Sequence, residues 1–551
     1  MKNIQMGLKE DYIMKLTKRV LALTLAAVMT AGMTTGCGGS KNTSIPEETT
    51  AISEETTAAE TKESEAAADI AEGGKLVIAI PMSHNTFFLP QSTTTIDRFG
   101  SQPVIESLGR ADEEGNYYPW LAEEFYTDPD NLIFTIKLRE GVKFHDGSDC
   151  NAEAVAWNIQ KYIDNGKASD LGSPTKVTVV DDRRIEIQYD QWANNWDNLL
   201  GDVFIISKEA YEKNGEEWCK THAVGTGPFV LESFVADNKI TYTKNENYRI
   251  PGLPHIDQLE IDMIMDTNTM MSALLNKEVG VAMKLENDAI INAIKQAGFE
   301  SVGSKNANCA DIKHIIWNSK SDKHPMGNLK VRQAVMHAID WEQVAKALSG
   351  GLGEATPLFC TSDSWAYSPQ EFYEYNPELA KQMLTEAGYP NGFETTIYTT
   401  SQNNDTATAF QAILAQIGIT VKIEVLDGSA LAAMQKEDDI DGFIANRGAS
   451  KMDYTNNYIR LYSSEGIKNH GIMLRPAEFE EPLFAARAAK TIEEKKENLQ
   501  KASKALVADY VMITPLSVVY YEAFGVPGLK DSGIYDVSLE QWTPEAVHWT
   551  K

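Results

Sequence analysis

The chain is poor in cysteine, with five in 551 residues. Cys37, Cys150, Cys219, Cys309 and Cys360 stand too far apart to form any CxxC pair, so neither a thiolate zinc site nor a dithiol redox centre has sequence support. The patterns GxxxxGK[ST], HExxH and GxSxG are also missing. Phosphate-loop nucleotide hydrolysis, zinc proteolysis and nucleophile-elbow serine hydrolysis therefore lack their usual signatures. Positive charge is scarce: 50 Lys and Arg stand against 79 Asp and Glu, a net charge of -29. Nucleic-acid binding needs a basic footprint, and this balance argues against it. The excess acid is read as a solubility feature. Residues 20–29 form the one marked apolar run, about half of the roughly 20 residues a spanning helix requires. No repeat of about 20–50 residues is visible, which removes solenoids and propellers.

What is present begins with an export signal. Lys15, Lys18 and Arg19 precede the apolar run, and small residues lead from it to Gly36-Cys37. Met14 reads as the start of this signal, because residues 1–13 add Glu10 and Asp11 where such regions are basic. Cys37-Gly38-Gly39-Ser40 resembles a bacterial lipoprotein cleavage site, in which the cysteine becomes the lipidated first residue. Thr34 stands where such sites usually carry Leu. Residues 41–72 are dominated by Ser, Thr, Ala, Glu and Asp and contain no aromatic residue. Such a stretch cannot bury enough apolar surface to fold, and a tether is expected over 37–73. An exported location permits disulfides, but the wide spacing favours unpaired, partly buried thiols.

The remainder is too long for one core at about 100–200 residues per domain. Residues 75–80 form a short apolar run suited to a strand buried on both faces. Residues 133–138 and 184–189 alternate apolar and polar, as half-buried antiparallel strands do. Between them Asn151 is placed to cap a helix whose apolar face is Ala152, Val155, Ile159 and Ile163. Asn376-Pro377 opens another helix. In the second half, strands at 395–399, 419–425 and 441–445 alternate with helices at 406–417 and 431–435, and Gly418 ends the first helix. That β-α-β-α-β order predicts a mostly parallel sheet. Ligands of such sheets bind beyond the carboxyl ends of the strands. Asn446, Arg447 and Gly448 are thereby expected at a rim, with residues 401–405 nearby. On the first sheet the rim holds residues 82–87, including His84, Asn85 and Phe87. His314, ahead of the apolar Ile315-Ile316-Trp317, is a further candidate, as is Trp317 itself. The loop Val224-Gly-Thr-Gly-Pro-Phe229 lacks the third glycine of a dinucleotide fingerprint and reads as a turn. Lys143-Phe-His-Asp-Gly147 reads as a turn whose side chains bond nearby backbone.

Together these fragments resemble the family 5 extracellular solute-binding proteins of oligopeptide, dipeptide and nickel ABC importers. The likeness runs in order through Pro119-Trp-Leu-Ala-Glu-Glu124, residues 134–147, Asn151-Ala-Glu-Ala-Val155, Val224 to Phe229 and Lys244-Asn-Glu-Asn-Tyr248. It continues through Val331-Arg-Gln-Ala334 with Ala338-Ile-Asp340, then Tyr375 to Ala380 with Glu386 to Tyr389, and Gly418 to Val421. The resemblance implies an α/β, two-lobed periplasmic-binding-protein-like fold, with an extra α+β subdomain inserted in lobe 1. Lobe 1 is expected from 74–98, 225–305 and 520–551, the subdomain from 99–224, and lobe 2 from 306–519. It further implies a non-enzymatic monomer with no cofactor or metal, tethered by lipid at the outer face of a Gram-positive type membrane. Its partners would be a short peptide or peptide-like acid and the permease and ATPase of an importer. A nickel chelate, or a signal peptide sensed without transport, remains the alternative.

In peptide-binding relatives an aspartate in the loop after the last of these strands grips the ligand amine. Here Ser450 falls at that position, with Asp453 as the candidate replacement. Nickel-binding relatives carry a histidine where this chain has Tyr454-Thr455-Asn456. Arg447 is the candidate partner of a ligand carboxylate. Trp365 and Tyr367 are expected to stack on the ligand.

Overall fold

The computed structural model describes residues 70–551 apart from 93–94, 286, 304–308, 351–352, 369–372, 438, 467, 470 and 539–540. The signal, Cys37 and the tether up to residue 69 lie outside the described residues. The described residues begin inside the span read as tether. Ile70–Ala71 pairs antiparallel with the strand His548–Thr550, and the Gly73 amide donates to the His255 carbonyl at 2.8 Å. These are main-chain bonds, which composition does not register.

Lys75–Ile80 lies at the centre of a seven-stranded sheet. It runs parallel to Gln258–Met263 on one side and to Val281–Leu285 on the other. Leu76, Ile78 and Ile80 pack into one core and Ala79 into another on the opposite face, as a doubly covered strand requires. A four-stranded antiparallel sheet follows, built from Ala122–Asp128, Ile133–Leu138, Lys176–Asp181 and Arg184–Gln188. The buried set Phe134, Ile136, Leu138, Ile185 and Ile187 matches the alternation in the sequence. The helix Ala152–Asp164 covers it, and the Asn151 side chain accepts from the Ala154 amide at 3.0 Å. This sheet shares one continuous core with Leu76 and Ile78, so the subdomain is welded to the first lobe.

The second lobe is a five-stranded sheet in the order Thr420–Leu426, Glu394–Thr400, Phe443–Ala449, Ala310–Ile316, Ile513–Tyr520. The helices Asn404–Gln416 and Gly428–Met434 complete the β-α-β-α-β unit. Gly418 has φ +86°, the left-handed conformation that stops the first of them. Two corrections follow. The sheet is mixed, because Ala310–Ile316 runs antiparallel to both of its neighbours. That strand also gives residues 446–449 a ladder partner, so the strand expected to end at 445 continues to Ala449. Asn446, Arg447 and Gly448 therefore lie within it, opposite His314, Lys313 and Ile312. Separate cores cover the two faces, one holding Ile312, Ile316 and Ile444, the other Ile315, Trp317 and Phe443.

Ile513–Tyr520 passes through a single residue, Tyr521, into Glu522–Gly525 of the first sheet. The lobes are thus joined by an almost unbroken strand. Cys150, Cys219, Cys309 and Cys360 are all buried, more so than the sequence suggested, and the Cys309 thiol donates to the Tyr535 carbonyl at 3.2 Å. Burial pushes the Cys150 and Cys360 thiols up to about 12 and Cys219 to about 11.

Candidate ligand-binding cleft

The crossover strand places Tyr521 between the lobes. Its hydroxyl donates to the Asp311 carboxylate at 2.6 Å, and Arg447 Nε stands 3.5 Å from the same oxygen. The Arg447 guanidinium lies 6.0 Å from the Tyr521 ring centre and donates to Gln402 Oε1 at 3.5 Å. From the first lobe Lys284 approaches the same ring, with Nζ 5.0 Å from its centre and 3.2 Å from Met82 Sδ. Lys284 has φ +57° at a register break between Ala282 and Leu285. A bulge of this kind re-aims a strand side chain. Arg447 and Asp311 are each 13% exposed at the side chain, so their mutual attraction is only partly screened. Two cations, one carboxylate and one phenol therefore meet at the pivot, an arrangement suited to an anionic group of a ligand.

The other candidates divide. Asn446 Oδ1 accepts from the Arg447 amide at 2.9 Å and from Asn403 Nδ2 at 3.4 Å, bracing the neighbouring loop. Asp453 is ion-paired to Lys495 and accepts from the Thr455 amide at 3.0 Å. Burial opposes its ionisation, but Lys495 and the Thr455 bonds outweigh it and hold the carboxyl below its ordinary value. Lys495 Nζ is 6.0 Å from the half-buried Trp365 ring, and Gln500 donates to the Tyr367 carbonyl at 3.2 Å. Ser450 is fully buried, with its amide bonded to the Ala310 carbonyl.

Four candidates are corrected by packing. Trp317 is in the core between Phe443 and Phe410, its indole donating to Thr514 at 2.8 Å. The His84 and Phe87 rings lie 4.3 Å apart, tilted by 48°, and both meet Phe234 edge to face, with no side-chain surface left for a ligand at His84. Only Asn85 of that loop trio is exposed. His314 is also interior, bonded to the Ile312 carbonyl and Tyr462, and burial pushes it down to about 4.

Residues 116–469 match the family described as bacterial extracellular solute-binding proteins, family 5. This chain belongs to that family. A glutathione-binding protein of Escherichia coli O1:K1 is 30% identical over 392 residues, covering 69% of this chain and 74% of the relative. One from Salmonella typhi is 31% identical over 391 residues, with the same coverage. Among solved structures, a periplasmic binding protein of Helicobacter pylori in complex with the peptide STSA superposes with TM-score 0.78 at 23% identity. It covers 89% of this chain and all of that one. An oligopeptide-binding protein of Bacillus subtilis in complex with a nonapeptide gives TM-score 0.74 at 21% identity, over 88% and all of the two chains.

In this family 5 chain the subdomain also touches lobe 2. Asn194 donates through its side-chain amide to the Ala486 and Ala489 carbonyls, each at 3.0 Å, and through its backbone to the Arg487 carbonyl. The acceptors are at the end of the helix Ala477–Ala488, where carbonyls lack partners within the helix. Asn194→Ala removes two of the three bonds. At about 0.5–1.5 kcal/mol each, apparent ligand affinity is expected to fall about tenfold. Calorimetry of the variant against wild type checks this, and equal affinities would uncouple the contact from binding.

Proposed function

We propose that this family 5 protein captures a short peptide or peptide-like acid outside the cell by closure of its lobes and delivers it to the permease and ATPase of an ABC importer. The carrying observation is Arg447, held by Asp311 and Gln402 one strand away from the crossover strand, with Lys284 of the other lobe against the same Tyr521 ring. A guanidinium fixed there reads a carboxylate with little reorganisation. The names of relatives support the ligand class, since they cover glutathione, peptides and opine acids. The export signal and Cys37 support lipid tethering at the outer face of the membrane, with a single chain as the working unit.

The test begins with native mass spectrometry of the purified protein, which identifies any ligand carried through purification. Calorimetry with that ligand then compares wild type and Arg447→Ala. A charged hydrogen bond contributes about 1.5–3 kcal/mol, so the variant is expected to bind an acid about 10–100-fold more weakly. A carboxamide analogue is expected to bind both proteins alike. If the acid binds both equally, Arg447 does not hold it.

A further inference from the structure

Two histidines from distant parts of the sequence meet on the first lobe, away from the cleft. His548 opens the last strand, which pairs with Ile70–Ala71. His255 lies in the loop before Gln258–Met263, and its carbonyl accepts from the Gly73 amide. The two ring centres are 5.6 Å apart with planes at 76°, and the side chains are 15% and 10% exposed.

Each ring spends the same nitrogen on the protein. His255 Nδ1 faces Glu72 Oε1 at 2.9 Å, and His548 Nδ1 faces the Ala546 carbonyl at 3.1 Å. Asp531 stands 3.7 Å from that same His548 nitrogen. A carboxylate and a carbonyl accept, so each neutral ring carries its proton on Nδ1 and presents a lone pair at Nε2. Neither Nε2 has a hydrogen-bond partner among the described residues. A histidine that ligates a metal through one nitrogen holds the other in this way, on a carboxylate or a main-chain carbonyl. At about 2.0–2.1 Å per metal–nitrogen bond, two imidazoles on one ion have ring centres about 5–6 Å apart, and the pair already has that spacing.

We propose that Nε2 of His255 and Nε2 of His548 clip one divalent ion of the imidazole-preferring kind, such as zinc, copper or nickel. No group of three or more His, Cys, Asp or Glu side chains suited to a metal occurs among the described residues, so water completes the shell. The ion is a fastener and not cargo. It ties the loop at His255 to the last strand at the amino-terminal end of Lys75–Ile80. That strand has six residues and is about 20 Å long, and Met82 and Lys284 of the cleft are at its other end.

Zn²⁺ is the probe, added to the full exported protein purified without a histidine tag. Long-range proton–nitrogen spectra of the nine histidines are expected to show Nε2 of His255 and His548 moving together to the metal-bound shift, both Nδ1 staying protonated. Calorimetry is expected to give one site, weakened tenfold or more by His255→Gln and by His548→Gln alike. Amide exchange at Ile70–Ala71 and His548–Thr550 is expected to slow as the ion binds. Zn²⁺ that moves neither ring, or one alone, overturns the clip, and so does binding that either glutamine variant leaves unchanged. The spectra of the unaltered protein decide the matter even where a variant folds poorly. Zinc taken up only together with a transported solute would belong to the cleft, and that result also overturns the clip.

Discussion

Glu106→Ala is expected to destabilise the first lobe by about 3–5 kcal/mol, read as a lower urea midpoint. Glu106 is 2% exposed and accepts four bonds. Its donors are Trp120 Nε1 at 2.6 Å, Thr226 Oγ1 at 2.8 Å, Tyr248 hydroxyl at 2.9 Å and Arg249 at 3.2 Å. Deleting the carboxylate leaves the Arg249 cation, which lies 4.4 Å from the Trp120 ring centre, without its buried counter-charge. Three neutral donors lose their acceptor at the same time. Unsatisfied buried groups cost more than the bonds they formerly made contributed. Glu106→Gln keeps one acceptor oxygen and is expected to lose less. A shift below about 1 kcal/mol for the alanine variant would mean that water replaces the carboxylate at little cost.

Arg332→Met is expected to cost at least about 3 kcal/mol, since several buried carbonyls lose a charged donor at once. Arg332 is fully buried and forms no ion pair among the described residues. Its guanidinium donates to the carbonyls of Val511 at 2.8 Å, Met326 at 2.8 Å, Gly327 at 2.9 Å and Tyr510 at 2.7 Å. Burial pushes it down to about 10. Val511 has φ +42°, a strained conformation for a β-branched residue, and it stands two residues before Ile513, the start of the strand that crosses between the lobes. Arg332 holds that bend. Arg332→Lys has no planar fork to reach all four acceptors, so it is expected to recover only part of the loss. Hydrogen exchange across residues 505–516 reads the effect locally, and unchanged protection there would remove the bracing role.

Both residues explain why the family was legible in the sequence. Trp120, Thr226 and Tyr248 come from three separate fragments of the resemblance, and all three donate to Glu106. A fourth fragment supplies His145, whose ring meets the Gly227 carbonyl at 3.0 Å. In the same loop a Cβ on Gly225 would stand 2.0 Å from the Val104 carbonyl oxygen, and one on Gly227 2.5 Å from that of Pro103. These glycines are there for close backbone approach, not for a cofactor. Arg332 belongs to a fifth fragment. The shared motifs are therefore scaffold, and scaffold is written in compact local patterns.

The proposed ligand site is written differently. Lys284, Asp311 and Arg447 come from three strands far apart in the sequence and Tyr521 from the step between two more, and their meeting depends on sheet order. Asp311 and Lys313 left one trace, as charges within the otherwise apolar stretch Ala310–Ile316. The parallel half of the second sheet was readable because its helices and strands alternate along the chain. Its antiparallel half pairs residues 310–316 with 513–520, a separation that no local pattern encodes. Trp317 and His84 were misplaced for a related reason: strand ends mark both rims and core edges, and only packing separates the two.

Tyr521 occupies the single-residue step between the two sheets, so the closure proposed above would turn about its neighbourhood. Displacement under rotation scales with the lever arm. Groups of opposite lobes beside the axis, such as Lys284 and Arg447, would keep nearly the same spacing at every opening angle, whereas Asn194 and the Ala486 carbonyl would have to travel to meet. A solute would thus be gripped first where nothing moves, and the far contacts would measure whether its other end is the right one before the jaw shuts.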